Sequence, residues 1–197
     1  GLQIEMFKSR HAYMGTRALA FAPDSNYVLT GGLNKAELWS LTGKKIQTFK
    51  DHDWLYVTAL RFSPDGKHVL TASMDKTAKL WTLKGEKIHT FKGHISSLSS
   101  VDFSPDGKYL LTGSEDNSTR FWDTNTGKEL AALIFIDSTD WVVTTPSGLF
   151  DASPGAMKLM YYVIGLEVID LEQLKDRYYE PGLLTKIMGF TEGGLRP

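Results

Sequence analysis

The string Ser104-Pro105-Asp106-Gly107, followed by Thr112-Gly113-Ser114-Glu115-Asp116 and then by Phe121-Trp122-Asp123, is written into this chain more than once. Its earlier copy starts 41 residues before, at Ser63-Pro64-Asp65-Gly66, and continues through Ala72-Ser73-Met74-Asp75 to Leu80-Trp81. The same step back from Phe62 reaches Phe21, which opens Phe21-Ala22-Pro23-Asp24-Ser25 and leads to Leu38-Trp39. The same step forward from Ser104 reaches Thr145-Pro146-Ser147-Gly148. A fixed period of this length means that each copy is one supersecondary unit, stabilised by stacking on its neighbours.

Within one copy, the alternation Val57, Ala59, Leu60, Phe62 predicts a first strand. Ser63 to Gly66 reads as a tight turn, in which Pro presets φ and Gly supplies a positive φ. Further strands follow at His68 to Ser73, Ala78 to Thr82 and Lys87 to Phe91, separated by turns at Asp75-Lys76 and Lys84-Gly85. Before residue 150 no segment keeps a 3.6-residue apolar period free of Gly and Pro for three turns, which argues against helix. The expected fold class is all-β, a β-propeller array of four-stranded antiparallel blades, with a short C-terminal helical appendage. Blades are expected over about 18–50, 57–92 and 99–136, with a degenerate fourth over about 141–169. Residues 2–8 resemble the closing strands 45–50 and 87–92, so the chain reads as starting partway through a unit, as a fragment would. Residues 1–169 thus form the array and 170–197 the appendage.

The degenerate end is less regular. Trp141-Val142-Val143-Thr144 predicts a strand, Thr145 to Gly148 a turn and Leu149 to Ser153 a short strand. The apolar run Leu159 to Ile164 reads as a third strand with Glu167 to Ile169 as a fourth, or as a buried helical turn over Met157 to Ile164. From Asp170 the texture becomes helical. Asp170 and Gln173 have capping-box spacing, and Leu171, Leu174 and Tyr178 share one helical face. A second helix is expected from Gly182 to Met188, with Pro181 at its first turn and Gly189 as its cap. The apolar residues of this stretch require packing on the array or on a partner.

The repeated residues resemble the WD-repeat β-propeller family, clearly over residues 2–130 and weakly to about 170. The resemblance implies a hydrogen-bonded tetrad in each good blade: His52, Ser73, Asp75 and Trp81 in the second, and His94, Ser114, Asp116 and Trp122 in the third. The first blade keeps only His11 and Trp39, because Gly31-Gly32-Leu33-Asn34 has no Asp at the tetrad position, and a looser turn is expected there. Such a tetrad satisfies polar groups that are costly to bury, so its role is structural. His, Ser and Asp together also suggest a hydrolase triad. The repetition, the terminal Trp and the lack of a strand-to-helix nucleophile turn argue against one. From Trp141 to Leu184 the chain also resembles the segment that joins WD-repeat blades to a downstream caspase-like domain in bacterial multidomain proteins.

Composition narrows the function. With 42% apolar and 23% charged residues, a net charge of −1 and no cysteine, the chain has neither a global field for nucleic acid nor a thiol nucleophile, and no sulfur ligand for zinc. The histidines, His11, His52, His68, His89 and His94, show no metal-ligand spacing. No cofactor, metal, nucleic acid or membrane is expected, and a cytoplasmic origin fits. The resemblance implies a non-catalytic scaffold that binds a protein or peptide on the rim where Tyr13, Met14, Trp54, Tyr56, Met74, Ile95 and Glu115 emerge. Trp54 and Tyr56 equally suit packing against a neighbouring blade. About four blades' worth of chain either closes as a ring of four or supplies half of a larger ring, so self-association or truncation is expected.

Overall fold

The computed structural model describes residues 15–53, 55–164, 167–190 and Leu195. The expected strand 2–8 lies outside the described residues. So do His11, Tyr13, Met14 and Trp54.

The protein is built from antiparallel sheets of four to six strands and a few short helices. The first sheet runs β1 (Ala18–Phe21), β2 (Tyr27–Gly31), β3 (Lys35–Ser40) and β4 (Lys45–Lys50), with sequence neighbours paired. The second repeats the meander with β5 (Val57–Phe62), β6 (His68–Ser73), β7 (Thr77–Thr82) and β8 (Lys87–Lys92). The turns form as the residues dictate. Ser63 Oγ donates to Asp65 Oδ1 at 2.6 Å and Gly66 takes φ +70°, and the copy at Ser104 and Gly107 has 2.7 Å and φ +72°. In the first copy Ser25 holds a positive φ of 57°.

The turn between β2 and β3 is tighter than expected. One residue shorter than its counterparts, it closes with the Gly32 amide donating to the Lys35 carbonyl at 3.1 Å. Asn34 takes φ +55°, and its amide donates to Leu55 O at 2.8 Å.

Six further strands follow, β9 (Leu98–Phe103), β10 (Tyr109–Ser114), β11 (Ser118–Asp123), β12 (Glu129–Phe135), β13 (Trp141–Thr144) and β14 (Phe150–Ala152), in the order β14-β13-β12-β11-β10-β9. A separate blade starting at Trp141 was expected. Instead β13 pairs directly with β12, Phe135 opposite Trp141. The physical reason is the connection. Asp137 Oδ1 accepts from the Thr139 and Asp140 amides, both at 2.8 Å, and folds Ile136 to Asp140 into a hairpin. The Leu159 to Ile164 run is divided: α1 (Ala156–Leu159) precedes β15 (Tyr161–Ile164), which pairs with β16 (Glu167–Asp170) in a two-stranded sheet of its own. The expected alternatives, strand and helical turn, each hold for part of it.

The chain divides into two compact units, residues 1–116 with 123–128, and residues 117–122 with 129–197. In the first, Leu29, Ala36, Leu38 and Phe49 of the first sheet share one apolar core with Val57, Leu60, Phe62, Val69 and Trp81 of the second. The joint is close because the receiving face is small. A Cβ placed on Gly31 would lie 3.0 Å from Val57 Cγ1 and 3.2 Å from Leu60 Cδ1.

In the second unit, α2 (Leu171–Tyr178) starts at the predicted capping box, with Gln173 Oε1 accepting from the Asp170 amide at 3.1 Å. A third helix, α3 (Leu183–Ile187), follows Gly182. Leu171 joins Val142, Phe150, Ala152, Ala156 and Met157 in one core, with Leu174, Tyr178 and Tyr179 packed on it. The appendage therefore packs on β13 and β14, as its apolar content demanded. The Glu180 amide donates to Phe150 O at 2.7 Å and the Gly182 amide to Asp151 Oδ2 at 2.8 Å.

Candidate functional site

Each strand carrying a repeat tryptophan is bulged at that residue: Leu38/Trp39, Leu80/Trp81 and Phe121/Trp122. A bulge adds local twist and re-aims the side chain that follows it. In the second sheet the re-aimed Trp81 Nε1 donates to Thr71 Oγ1 at 3.0 Å. The same hydroxyl lies 2.8 Å from His52 Nε2, and His52 Nδ1 lies 2.7 Å from Asp75 Oδ2. Nδ1 faces the carboxylate and Nε2 the Thr71 hydroxyl, so every member has a partner. The buried set is thus His52, Thr71, Asp75 and Trp81.

Ser73, expected as the hydroxyl of this set, sits one strand pitch further along. Its Oγ accepts from the Asp75 amide at 3.2 Å and so orders the turn. Strand register decides this, because Trp81 is opposite Val69 and reaches the diagonal neighbour Thr71, not the strand end. The third copy corrects in the same way. His94 Nε2 is 2.8 Å from Thr112 Oγ1 and His94 Nδ1 2.9 Å from Asp116 Oδ2, whereas Ser114 Oγ donates to the Ser97 carbonyl at 3.0 Å. In the first copy Trp39 Nε1 donates to Thr30 Oγ1 at 3.0 Å. A signal for the threonine was present: Thr30, Thr71 and Thr112 recur at the 41-residue step in all three copies, while the Ser73 position reads Gly32 in the first.

The carboxylate at the end of the second set is held ionised. Burial pushes the Asp75 carboxyl up, but the His52 hydrogen bond, the Thr77 hydroxyl at 2.6 Å and the His52 charge outweigh it, and the pKa lies at about 2. Sequence reasoning missed one further feature. A buried or half-buried charge recurs on the third strand of each copy: Glu37 with Lys35 at 2.8 Å, Lys79 with Asp51 at 3.2 Å, and Arg120 with Glu129 at 2.7 Å. Each charge is paired, as its surroundings require.

The rim loops emerge at one end of these sheets and are stitched by backbone bonds. The Met74 amide donates to Tyr56 O at 3.1 Å, and the equivalent Glu115 amide to Ser97 O at 3.0 Å. Tyr56 is half-buried, forms a bridge to Leu33 and carries the Arg17 guanidinium 4.0 Å from its ring centroid, so it packs on the first sheet. Met74 is half-buried and Glu115 exposed. Ile95 is 78% exposed, on a backbone whose amide donates to Asp116 Oδ2 at 3.0 Å.

Among the described residues no group of three or more His, Asp or Glu side chains is arranged to hold a metal ion. None of the described helices is long and apolar enough to cross a membrane.

Two successive four-stranded meanders share one apolar core, the Trp bulge recurs in all three copies, and the buried His, Thr and Asp recur in the second and third, an arrangement of propeller-type repeats. The family model "WD domain, G-beta repeat" matches residues 43–82 and again residues 85–123, so the chain carries two WD repeats. Each match begins near the last strand of one sheet and runs through the first three strands of the next. A single sequence repeat therefore spans a sheet-to-sheet joint. No curated protein matches the chain.

Proposed function

We propose that this chain is a non-catalytic protein-interaction scaffold whose ligand-facing surface is the rim formed by the loops between sheets and the turns between the second and third strands of each copy. WD repeats generally mediate protein–protein interaction and are typically non-catalytic. The observation that carries the assignment to this rim is Ile95, an aliphatic side chain held out to solvent by a fixed backbone. An exposed apolar anchor on a rigid loop loses little conformational entropy on binding, which suits it to an interface centre. Glu115, exposed on the neighbouring turn, supplies a polar edge beside it. Tyr56 belongs with the joint between the first two sheets.

The partner is a protein or peptide. As a sensing or targeting module of a larger bacterial, cytoplasmic protein, the chain would place this rim at the service of a downstream domain, for which the caspase-like type is the candidate. The test is affinity capture with the longest natural form of the protein, comparing wild type with Ile95→Asp. A partner retained by the wild type and lost by the variant, at unchanged melting temperature, supports the rim. Equal capture by both sinks it.

A further inference from the structure

The three copies allow one surface to be read against its own repeats. Leu60 and Phe62 of β5 are 1% and 8% exposed, because they insert into the small-residue face of the first sheet. Val101, at the position of Leu60 in β9, is likewise buried. Leu19 and Phe21 occupy the same two positions in β1, and they are 66% and 70% exposed. An apolar pair that is core in the next repeat is surface here.

The receiving half of the joint also recurs. It is built on a cross-strand pair of small residues in equivalent register: Ala18 opposite Gly31, Ala59 opposite Ala72, and Ser100 opposite Gly113. The first pair is covered by Val57 and Leu60, and Ala72 of the second is fully buried. In the third, Ser100 is exposed and Gly113 half-buried, and beside them Leu111 is half-buried where its equivalents Leu29 and Leu70 are fully buried. The same unit therefore presents one set of uncovered knobs and one uncovered socket of the kind that accepts them.

We infer that the Leu19 and Phe21 face of β1 docks on the Ser100 and Gly113 face of a second copy of this chain, forming the joint already present between the first and second sheets. Such a contact is heterologous, using different surfaces on the two partners. It rests on the sheet packing and is independent of the rim reading.

The experiment is sedimentation velocity of the full chain over a micromolar to submillimolar range. The wild type is expected to show species of two or more copies. Leu19→Asp with Phe21→Asp, and separately Ser100→Glu, are each expected to sediment as single copies with unchanged circular dichroism. Mixed together, those two variants are expected to form a 1:1 complex through the one intact knob face and the one intact socket. A single-copy wild type throughout the range, or association that survives both variants, overturns the inference. A photo-crosslinker at position 21 that reacts only within residues 1–14 of the same chain also overturns it, since the occupant would then be the chain's own N-terminal segment.

Discussion

Asp116 Oδ2 accepts a hydrogen bond from the Ile95 amide at 3.0 Å, and the same oxygen lies 2.9 Å from His94 Nδ1. One carboxylate oxygen thus links the buried polar set of a repeat to the backbone of the exposed rim residue Ile95. Replacing Asp116 with Ala should cost about 1–3 kcal/mol, the usual penalty for stranding a buried partner. It should also speed hydrogen exchange at the Ile95 amide well beyond the global change. Chemical denaturation with amide exchange checks both.

Thr71 and Ser73 are expected to differ sharply. Thr71→Val leaves the Trp81 indole N–H and His52 Nε2 without a shared hydroxyl, at a cost of about 1–3 kcal/mol. Ser73→Ala removes a single hydrogen bond, the one its Oγ accepts from the Asp75 amide, and should cost about 1 kcal/mol. The two melting temperatures, measured side by side, decide which hydroxyl belongs to the set.

The depressed Asp75 pKa makes stability pH-dependent. A carboxyl at about 2 in the folded chain and 3.8 ordinarily binds its proton more readily when unfolded. Its contribution, of order 2 kcal/mol, is therefore fully present above about pH 4 and is lost as the pH falls through about 2. Asp75→Asn should remove that acid-limb dependence. Urea midpoints between pH 5 and 2 for wild type and variant give the difference.

Gly127 and Gly189 both hold a left-handed backbone, at φ +69° and +74°. A side chain at either is strained by about 1 kcal/mol. At Gly127 the added Cβ would also lie 2.8 Å from His89 Nδ1, whose ring bonds Asn125 O at 2.9 Å, whereas nothing lies within 4 Å at Gly189. Gly127→Ala should therefore destabilise distinctly more than Gly189→Ala, as thermal unfolding can show.

Leu183 is fully buried at the start of α3, and the Phe150 and Tyr179 rings lie 5.7 Å apart. Leu183→Ala should cost about 2–4 kcal/mol by opening a cavity. A limited-proteolysis assay should then find the segment after Tyr179 more readily cleaved. Unchanged resistance would show that the C-terminal helices do not depend on this packing.

The strand spans of the repeats, the Ser-Pro-Asp-Gly turns and the Asp170 capping box were legible in the sequence, because each is fixed by residues a few positions apart. What the tertiary structure decided were relations across strands. The bulge at each Trp turned the indole to Thr30 and Thr71, and neither Ser73 nor Ser114 links the His and Trp of its copy. The Asp137 hairpin sent β13 onto β12 instead of opening a new sheet. Exposure of Leu19 and Phe21, against burial of the same positions one repeat later, could not be read from a pattern that is identical in both. Local spacing sets the face on which a side chain stands; only the arrangement of neighbouring sheets sets whether that face is covered.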